Sequence, residues 1–351
     1  MAAYTLQQKT FVFSMISNAA AQLTNATVAD LEAAVTKRFD SVTSENTKYL
    51  GTGWTLGWGP VVVSENDSKV ADNTAFVAKG SEGGNPVYIV AIAGTNAVSA
   101  FDIQTEDLDV HTRVPFGSTK AKISQGTQDG VNILEQLTSN GATLQQYLNS
   151  VAAKNATLVF TGHSLGGALS PTLALDLAVN QGFDLTKWSA VYVYPSAGPT
   201  PGDKAFATLF SKTFPKAGST ATSAWNQNVV NSIDVVPRAW NELNTIHDIY
   251  TPNLKGTLCI AGLVSKLRSN RGLINYYDNL PKAQFTGTYN GSLKPAGDHP
   301  DNGTVKFAVQ VFYQHIFAYT VALIPEFESV FTGGSLSAAA LNGLYKKCGG
   351  L

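Results

Sequence analysis

The residues best placed to do chemistry lie in the run Leu158-Val159-Phe160-Thr161-Gly162-His163-Ser164-Leu165-Gly166-Gly167-Ala168-Leu169. A serine in a G-x-S-x-G spacing is a weak sign alone, since about 0.2 matches arise by chance in a glycine-rich chain of this length. The context strengthens it: an apolar strand-like run enters the pattern and an Ala/Leu-rich, helix-forming run leaves it. A sharp strand-to-helix turn of that kind lifts a serine hydroxyl clear of a sheet edge, where it can attack a carbonyl carbon. Gly162 and Gly166 flank Ser164 so closely that side chains there would collide where the strand folds into the helix. The same turn puts the backbone N–H of Leu165 at a helix N-terminus, where unpaired donors and the helix dipole favour negative charge. This would be half of an oxyanion hole. The plainer reading is a glycine-rich turn with an idle serine.

Such a turn needs a sheet behind it. Residues 5 to 40 read as helical, with Leu6, Thr10, Phe13, Ile16 and Ala20 recurring at steps of three and four. A second helix opens at Asp30, with Leu31, Val35 and Phe39 on one face. Extended segments follow at 54–63 and 74–78, and a turn-rich stretch spans 80–86. The run Val87-Tyr88-Ile89-Val90-Ala91-Ile92-Ala93 is continuous and β-branched, as expected of a central strand buried on both faces. Helical and extended segments then alternate: helices at 126–137, 144–153, 166–180 and 203–212, strands at 157–161, 190–194 and 228–232. This alternation predicts an α/β domain around a mostly parallel sheet. The expectation is one domain over residues 1–351, with 1–80 as an N-terminal cap or extension and 87–323 as the core.

Composition narrows the possible partners. Lys+Arg (24) nearly balance Asp+Glu (25) in the 351 residues, so no basic stripe points to nucleic acid or to an anionic membrane. Only 14% of residues are charged, against the roughly 25% usual in soluble domains. No apolar run approaches the ~18 residues of a spanning helix, so no transmembrane segment is expected. The apolar patch Phe11 to Ile16 lacks a preceding basic region and makes a poor signal peptide; secreted and cytoplasmic locations both stay open. The two cysteines, Cys259 and Cys348, have no metal or redox spacing, and a single bridge between them is left open.

Gly162-His163-Ser164-Leu165-Gly166-Gly167-Ala168 resembles the nucleophile elbow of the class 3 lipases, the α/β-hydrolase family of fungal triacylglycerol lipases and their bacterial relatives. Upstream, Val90 to Asn96 resembles the family's strand ending in Arg-Gly-Thr or Arg-Gly-Ser, and Glu106-Asp107-Leu108 the Asp-Leu beyond it. Downstream, Asn231-Ser232-Ile233-Asp234-Val235-Val236-Pro237 resembles the Asn-x-x-Asp-x-Val-Pro segment that supplies the acid. The resemblance covers residues 87–240 well, the C-terminal part loosely and the first 80 residues hardly at all. Ala93 stands where the family usually has Arg, so a structural ion pair is expected to be gone. The resemblance implies the α/β-hydrolase fold with an N-terminal helical addition and a lid.

It also implies site residues. Thr95 would donate its backbone N–H, and its hydroxyl as well if a carboxylate such as Asp107 holds it, to complete the oxyanion hole with Leu165. The plainer reading of Thr95 is an ordinary strand-end threonine. Asp234 follows the Val229-Val230 strand and would be the acid; otherwise it is an Asx-turn residue before Pro237. The fold's order of Ser, Asp, His leaves His247, His299 and His315 as bases. His315, in Tyr313-Gln314-His315-Ile316-Phe317-Ala318-Tyr319, resembles the family's final His-x-x-x-Tyr-like pattern just before the last apolar helix and is the first choice. His299, in a polar loop, is the second. A core histidine is the bland alternative for His315. His163 would support the elbow structurally, and His111 is read as surface or loop.

The implied activity is serine carboxylester hydrolysis of lipase type on acylglycerols or other fatty-acyl esters, with no metal or organic cofactor. The lid would lie in 96–115, where Val98, Phe101, Ile103 and Val110 alternate with acidic residues, giving at most transient contact with a lipid interface. Its alternative is an ordinary surface segment. Other readings on the same fold are a phospholipase or other carboxylesterase, a serine peptidase, and a non-catalytic lipid-binding protein.

Overall fold

Strand β3 shows why the sheet forms. Val87, Ile89 and Ala91 pack into one buried cluster, while Tyr88, Val90 and Ile92 pack into another. Successive side chains of a strand point to opposite faces, so a continuous apolar run is buried on both. Each buried Val, Ile or Phe contributes about 1.5–3 kcal/mol. The computed structural model describes residues 3–21, 23–64, 71, 73–94, 110–269, 276–293 and 303–331. In it, seven strands lie side by side in chain order: β1 (Thr55–Val63), β2 (Asn73–Glu82), β3 (Asn85–Ile92), β4 (Thr157–His163), β5 (Ala190–Ser196), β6 (Asn228–Asn231) and β7 (Lys282–Phe285). The first two pairings are antiparallel, and β3 to β7 are parallel. The fold is that of an α/β-hydrolase, with a mostly parallel sheet flanked by helices.

The β2–β3 turn is tighter than the sequence suggests. Strand pairing continues to Glu82↔Asn85, leaving Gly83 and Gly84 as the turn. Both have positive φ, 56° and 83°, as a two-residue hairpin with right-handed strand twist requires. The polar Ser81 and Glu82 belong to exposed hairpin arms, where polarity does not mark a loop.

Helices cover both faces. On one lie α1 (Leu6–Ser17) and α2 (Val28–Glu45). Thr5 caps α1 in a capping box with Gln8, and Thr27 does the same for α2 with Asp30, so α2 starts two residues before the expected Asp30. Phe11, Val12, Phe13 and Ile16 of α1 share their cluster with Ile89, Ala91 and Val159. Lys9, buried, pairs with Glu82 of the hairpin. On the other face, α3 (Gln125–Gln136), α4 (Leu165–Val179) and α5 (Lys204–Thr213) bring Val131, Leu169, Leu173 and Phe206 against Val90, Leu158 and Phe160. Every residue from Gly166 to Leu177 in α4 is buried, which accounts for a helix apolar on all sides.

A third cluster gathers around the segment after β6, joining Val235, Trp240 and Tyr250 to Val110 and Phe307. Beyond it lies α6 (Leu258–Ser269), where Cys259 is disulfide-bonded. The other cysteine, Cys348, lies outside the described residues. After β7 the chain forms α7 (Gly303–Phe312), one π-helical turn over Tyr313–Phe317, and α8 (Ala318–Leu323). Among the described residues, no single helix is long and apolar enough to cross a membrane.

Candidate active site

The parallel strands end together, and in open α/β sheets the edge formed by their carboxyl ends is where ligand sites gather. Ser164 follows β4 directly and carries φ 61° and ψ −125°, a strained backbone for a residue with a side chain. The glycines allow the turn. A Cβ on Gly162 would stand 2.2 Å from the Gly166 carbonyl oxygen, and one on Gly166 would stand 2.3 Å from that of Ile92. A Cβ on Gly167 would meet the Ser196 oxygen at 2.4 Å. The turn is closed by Ser164 N–H to the Ser196 carbonyl at 3.0 Å and Gly167 N–H to the Ser164 carbonyl at 2.8 Å. The N–H of Leu165, first in α4, has no acceptor within its own helix.

Three side chains from distant parts of the chain meet here. Ser164 Oγ lies 2.8 Å from His315 Nε2, and His315 Nδ1 lies 2.9 Å from Asp234 Oδ2. All three are buried, at 5%, 2% and 0% exposure for Ser164, His315 and Asp234. A carboxylate can only accept, so Nδ1 carries the proton and Nε2 is left to accept from the serine hydroxyl. Asp234 Oδ2 also accepts from the Tyr319 hydroxyl at 2.9 Å, and Oδ1 accepts from the Val236 N–H at 3.0 Å. Burial, and then the charge of Asp234, raise the Tyr319 phenol well above its usual range, so it stays a donor. The same hydroxyl accepts from the Asn231 N–H at 2.9 Å.

His315 sits on the π-helical turn between α7 and α8. The π turn widens the helix at the histidine, and two of its carbonyls take side-chain donors. Asn231 Nδ2 donates to the Gln314 carbonyl at 2.9 Å, and His163 Nε2–H donates to the His315 carbonyl at 2.8 Å. Single π turns of this kind occur often at functional sites. His163 is fixed in one tautomer, because its Nδ1 lies 2.9 Å from Ser196 Oγ and accepts that hydroxyl's proton. Burial, and then the neighbouring His315, hold its pKa well below 6.5, so it is neutral. This matches the structural role read from sequence.

Thr95, residues 96–109 of the expected lid with Asp107, and His299 lie outside the described residues. Val110 is buried in the third cluster, and Arg113–Pro115 pairs with Lys122–Ser124 in a short antiparallel ladder. His247 is partly exposed and its Nδ1 lies 3.0 Å from Asp248, away from the serine's hydrogen bonds. Among the described residues no group of three or more His, Cys, Asp or Glu could hold a metal ion.

A family model described as Lipase (class 3) matches residues 89–243. That segment is similar to the class 3 lipases. The crystal structure of M37 lipase superposes with a TM-score of 0.76 at 25% identity, covering 98% of this chain and 100% of that one. A Rhizomucor miehei lipase propeptide complex gives a TM-score of 0.46 at 19% identity, over 68% of this chain and 64% of that one. A lipase from Rhizopus microsporus var. chinensis gives 0.43 at 20% identity, over 68% and 71%. No curated protein matches the sequence. The chain is a lipase-type carboxylic ester hydrolase.

Within the class 3 lipase segment lie Ser164 and Asp234, while His315 and the N-terminal helices lie outside it. Sequence reasoning missed two buried polar partners of this site, Gln314 and Ser196, and gave no role to Asn231, the first residue of the segment resembling Asn-x-x-Asp-x-Val-Pro. Tyr319 left a trace too, because its spacing of four from His315 puts both on one helix face.

Proposed function

We propose that this lipase-type hydrolase cleaves acylglycerols or other fatty-acyl esters through an acyl-enzyme on Ser164. The observation that carries this reading is the unbroken line of hydrogen bonds from Ser164 Oγ through His315 to Asp234, at 2.8 and 2.9 Å. His315 Nε2 takes the hydroxyl proton as Oγ bonds to the ester carbon, and the imidazolium that forms is stabilised by Asp234. The N–H groups of Leu165 and Thr95 hold the tetrahedral oxyanion. As the C–O bond to the alcohol breaks, His315 returns the proton to the departing oxygen. Water then attacks the acyl-enzyme with the same histidine as base, releasing the acid and restoring Ser164.

The class 3 lipase match and the likeness to M37 lipase support a fatty-acyl ester as substrate. Contact with a lipid interface is transient and runs through the lid segment 96–115. The test measures fatty-acid release from emulsified tributyrin and triolein, beside hydrolysis of a soluble p-nitrophenyl ester. Release from both glycerides by the wild type, and none by Ser164→Ala, is the expected result. Turnover confined to the soluble ester would overturn the fatty-acyl assignment and leave a small-ester esterase.

A further inference from the structure

The N–H of Gly94 donates a 2.9 Å hydrogen bond to Oδ1 of Asn18, the C-cap residue of α1. The Asn18 side chain is held from its own helix, since Nδ2 donates to the Ser14 carbonyl at 2.9 Å. Gly94 is buried, and its main chain touches the elbow. A Cβ on it would stand 2.6 Å from the His163 carbonyl oxygen, 3.0 Å from Ser164 Cβ and 3.4 Å from the Leu165 nitrogen. The preceding amide, Ala93 N–H, is held by the Thr74 carbonyl at 2.9 Å. At Gly94 the acceptor changes from the neighbouring strand to a side chain of the N-terminal helix. Ala93 itself has only a methyl group with which to brace this strand end.

Helix α1 is a firm base for such an anchor. Its Lys9 pairs with Glu82, Gln8 Nε2 donates to the Leu323 carbonyl at 2.8 Å, and the Phe11 ring packs edge-on to His163 with centroids 6.0 Å apart. A buried amide needs an acceptor. Here that acceptor sits where a small shift of the Gly94 peptide would press on Ser164 or move it relative to the Leu165 N–H.

We propose that Asn18 is a positioning residue for the reaction, fixing the Gly94 peptide against Ser164 and Leu165 so that nucleophile and oxyanion donor stay in register. It touches no reacting atom and acts through Gly94. The inference rests on Ser164 being the nucleophile, and it brings into the active site a helix outside the segment matched by the family model. Donors set before the reaction are worth most when their geometry is fixed, and small misplacements reduce rate more than binding.

The test compares wild type, Asn18→Ala, Asn18→Asp and Ser164→Ala in the full chain. Measured are kcat and KM on p-nitrophenyl butyrate, inhibition by an alkyl boronic acid, which forms a tetrahedral adduct on an active serine, and thermal melting. Asn18→Ala is expected to lower kcat about 10-fold with KM within about twofold, and to weaken the boronic acid in parallel. Asn18→Asp keeps an oxygen for the Gly94 N–H but loses the donor to the Ser14 carbonyl, and is expected to recover part of both losses. An Asn18→Ala enzyme with unchanged kcat and boronic-acid affinity overturns the proposal, as does a loss that follows melting temperature and is not recovered by Asn18→Asp. If the wild type neither hydrolyses the ester nor binds the boronic acid, the Ser164 reading fails first and this one with it.

Discussion

The ring of His163 donates a 2.8 Å hydrogen bond to the main-chain carbonyl of His315, joining the residue just before Ser164 to the residue proposed as its base. The elbow thus holds the histidine from behind while presenting the serine in front. Replacing His163 by Phe keeps a buried ring but leaves the His315 carbonyl and the Ser196 hydroxyl without this partner. An unpaired buried group costs about 1–3 kcal/mol. The expected result is a lower melting temperature and a fall in kcat of about 10-fold at unchanged KM. Unchanged kcat in a folded His163→Phe enzyme would show that the carbonyl needs no such anchor.

Tyr319→Phe removes one donor from the carboxylate that faces His315. The carboxylate is then oriented by the Val236 N–H and His315 without the phenol, so kcat should fall by about 3- to 10-fold at unchanged KM. A folded Tyr319→Phe enzyme with wild-type kcat contradicts this picture of the acid.

Gly162→Ala puts a methyl group 2.2 Å from the Gly166 carbonyl oxygen, inside a turn that Ser164 already strains. Relief requires movement of main chain, so the variant should lose several kcal/mol of stability, on the order of the largest single-residue effects. Urea denaturation measures it. A midpoint equal to wild type would mean the turn is looser than its packing indicates.

How far the sequence foretold this site depends on how local each feature is. Ser164 was legible because strand, tight turn and helix adjoin it, so the glycine spacing carries the geometry. Asp234 was legible as a residue just past a strand that had to end at the same sheet edge. His315 was legible only through a resemblance, because its apolar surroundings suit a core histidine equally well and a π turn leaves no periodicity of its own. The partners Gln314, Ser196 and Asn18, and the role of Asn231, were hidden for a simpler reason. Their polar atoms gain meaning only when distant segments meet, as when α1 reaches Gly94 from 76 residues away.

Stability should vary with pH through a carboxyl pair away from the site. Burial, and then a hydrogen bond shared with Asp176, push Glu135 up to about 8 from its ordinary 4.5. Asp176 is also held by Asn180 at 2.7 Å and Gln181 at 3.1 Å. The folded chain keeps this proton where the unfolded chain has lost it. The associated stability is therefore full below about pH 4.5 and is lost as pH rises towards about 8. Glu135→Gln cannot ionise, so its melting temperature should gain on wild type by roughly 2–4 °C between about pH 6 and 9. Parallel melting curves for the two proteins would remove the pair as the source.

The central claim is that Ser164 is a nucleophile activated by His315. It is tested most directly by the rate of fluorophosphonate labelling, read by intact mass, in wild type and in Ser164→Ala, His315→Ala and His299→Ala. The account predicts one label per wild-type chain, none in Ser164→Ala, a rate lower by about 10³-fold or more in His315→Ala, and a near-normal rate in His299→Ala. Labelling that survives in His315→Ala and vanishes in His299→Ala would contradict it, and so would a wild type that stays unlabelled with and without lipid.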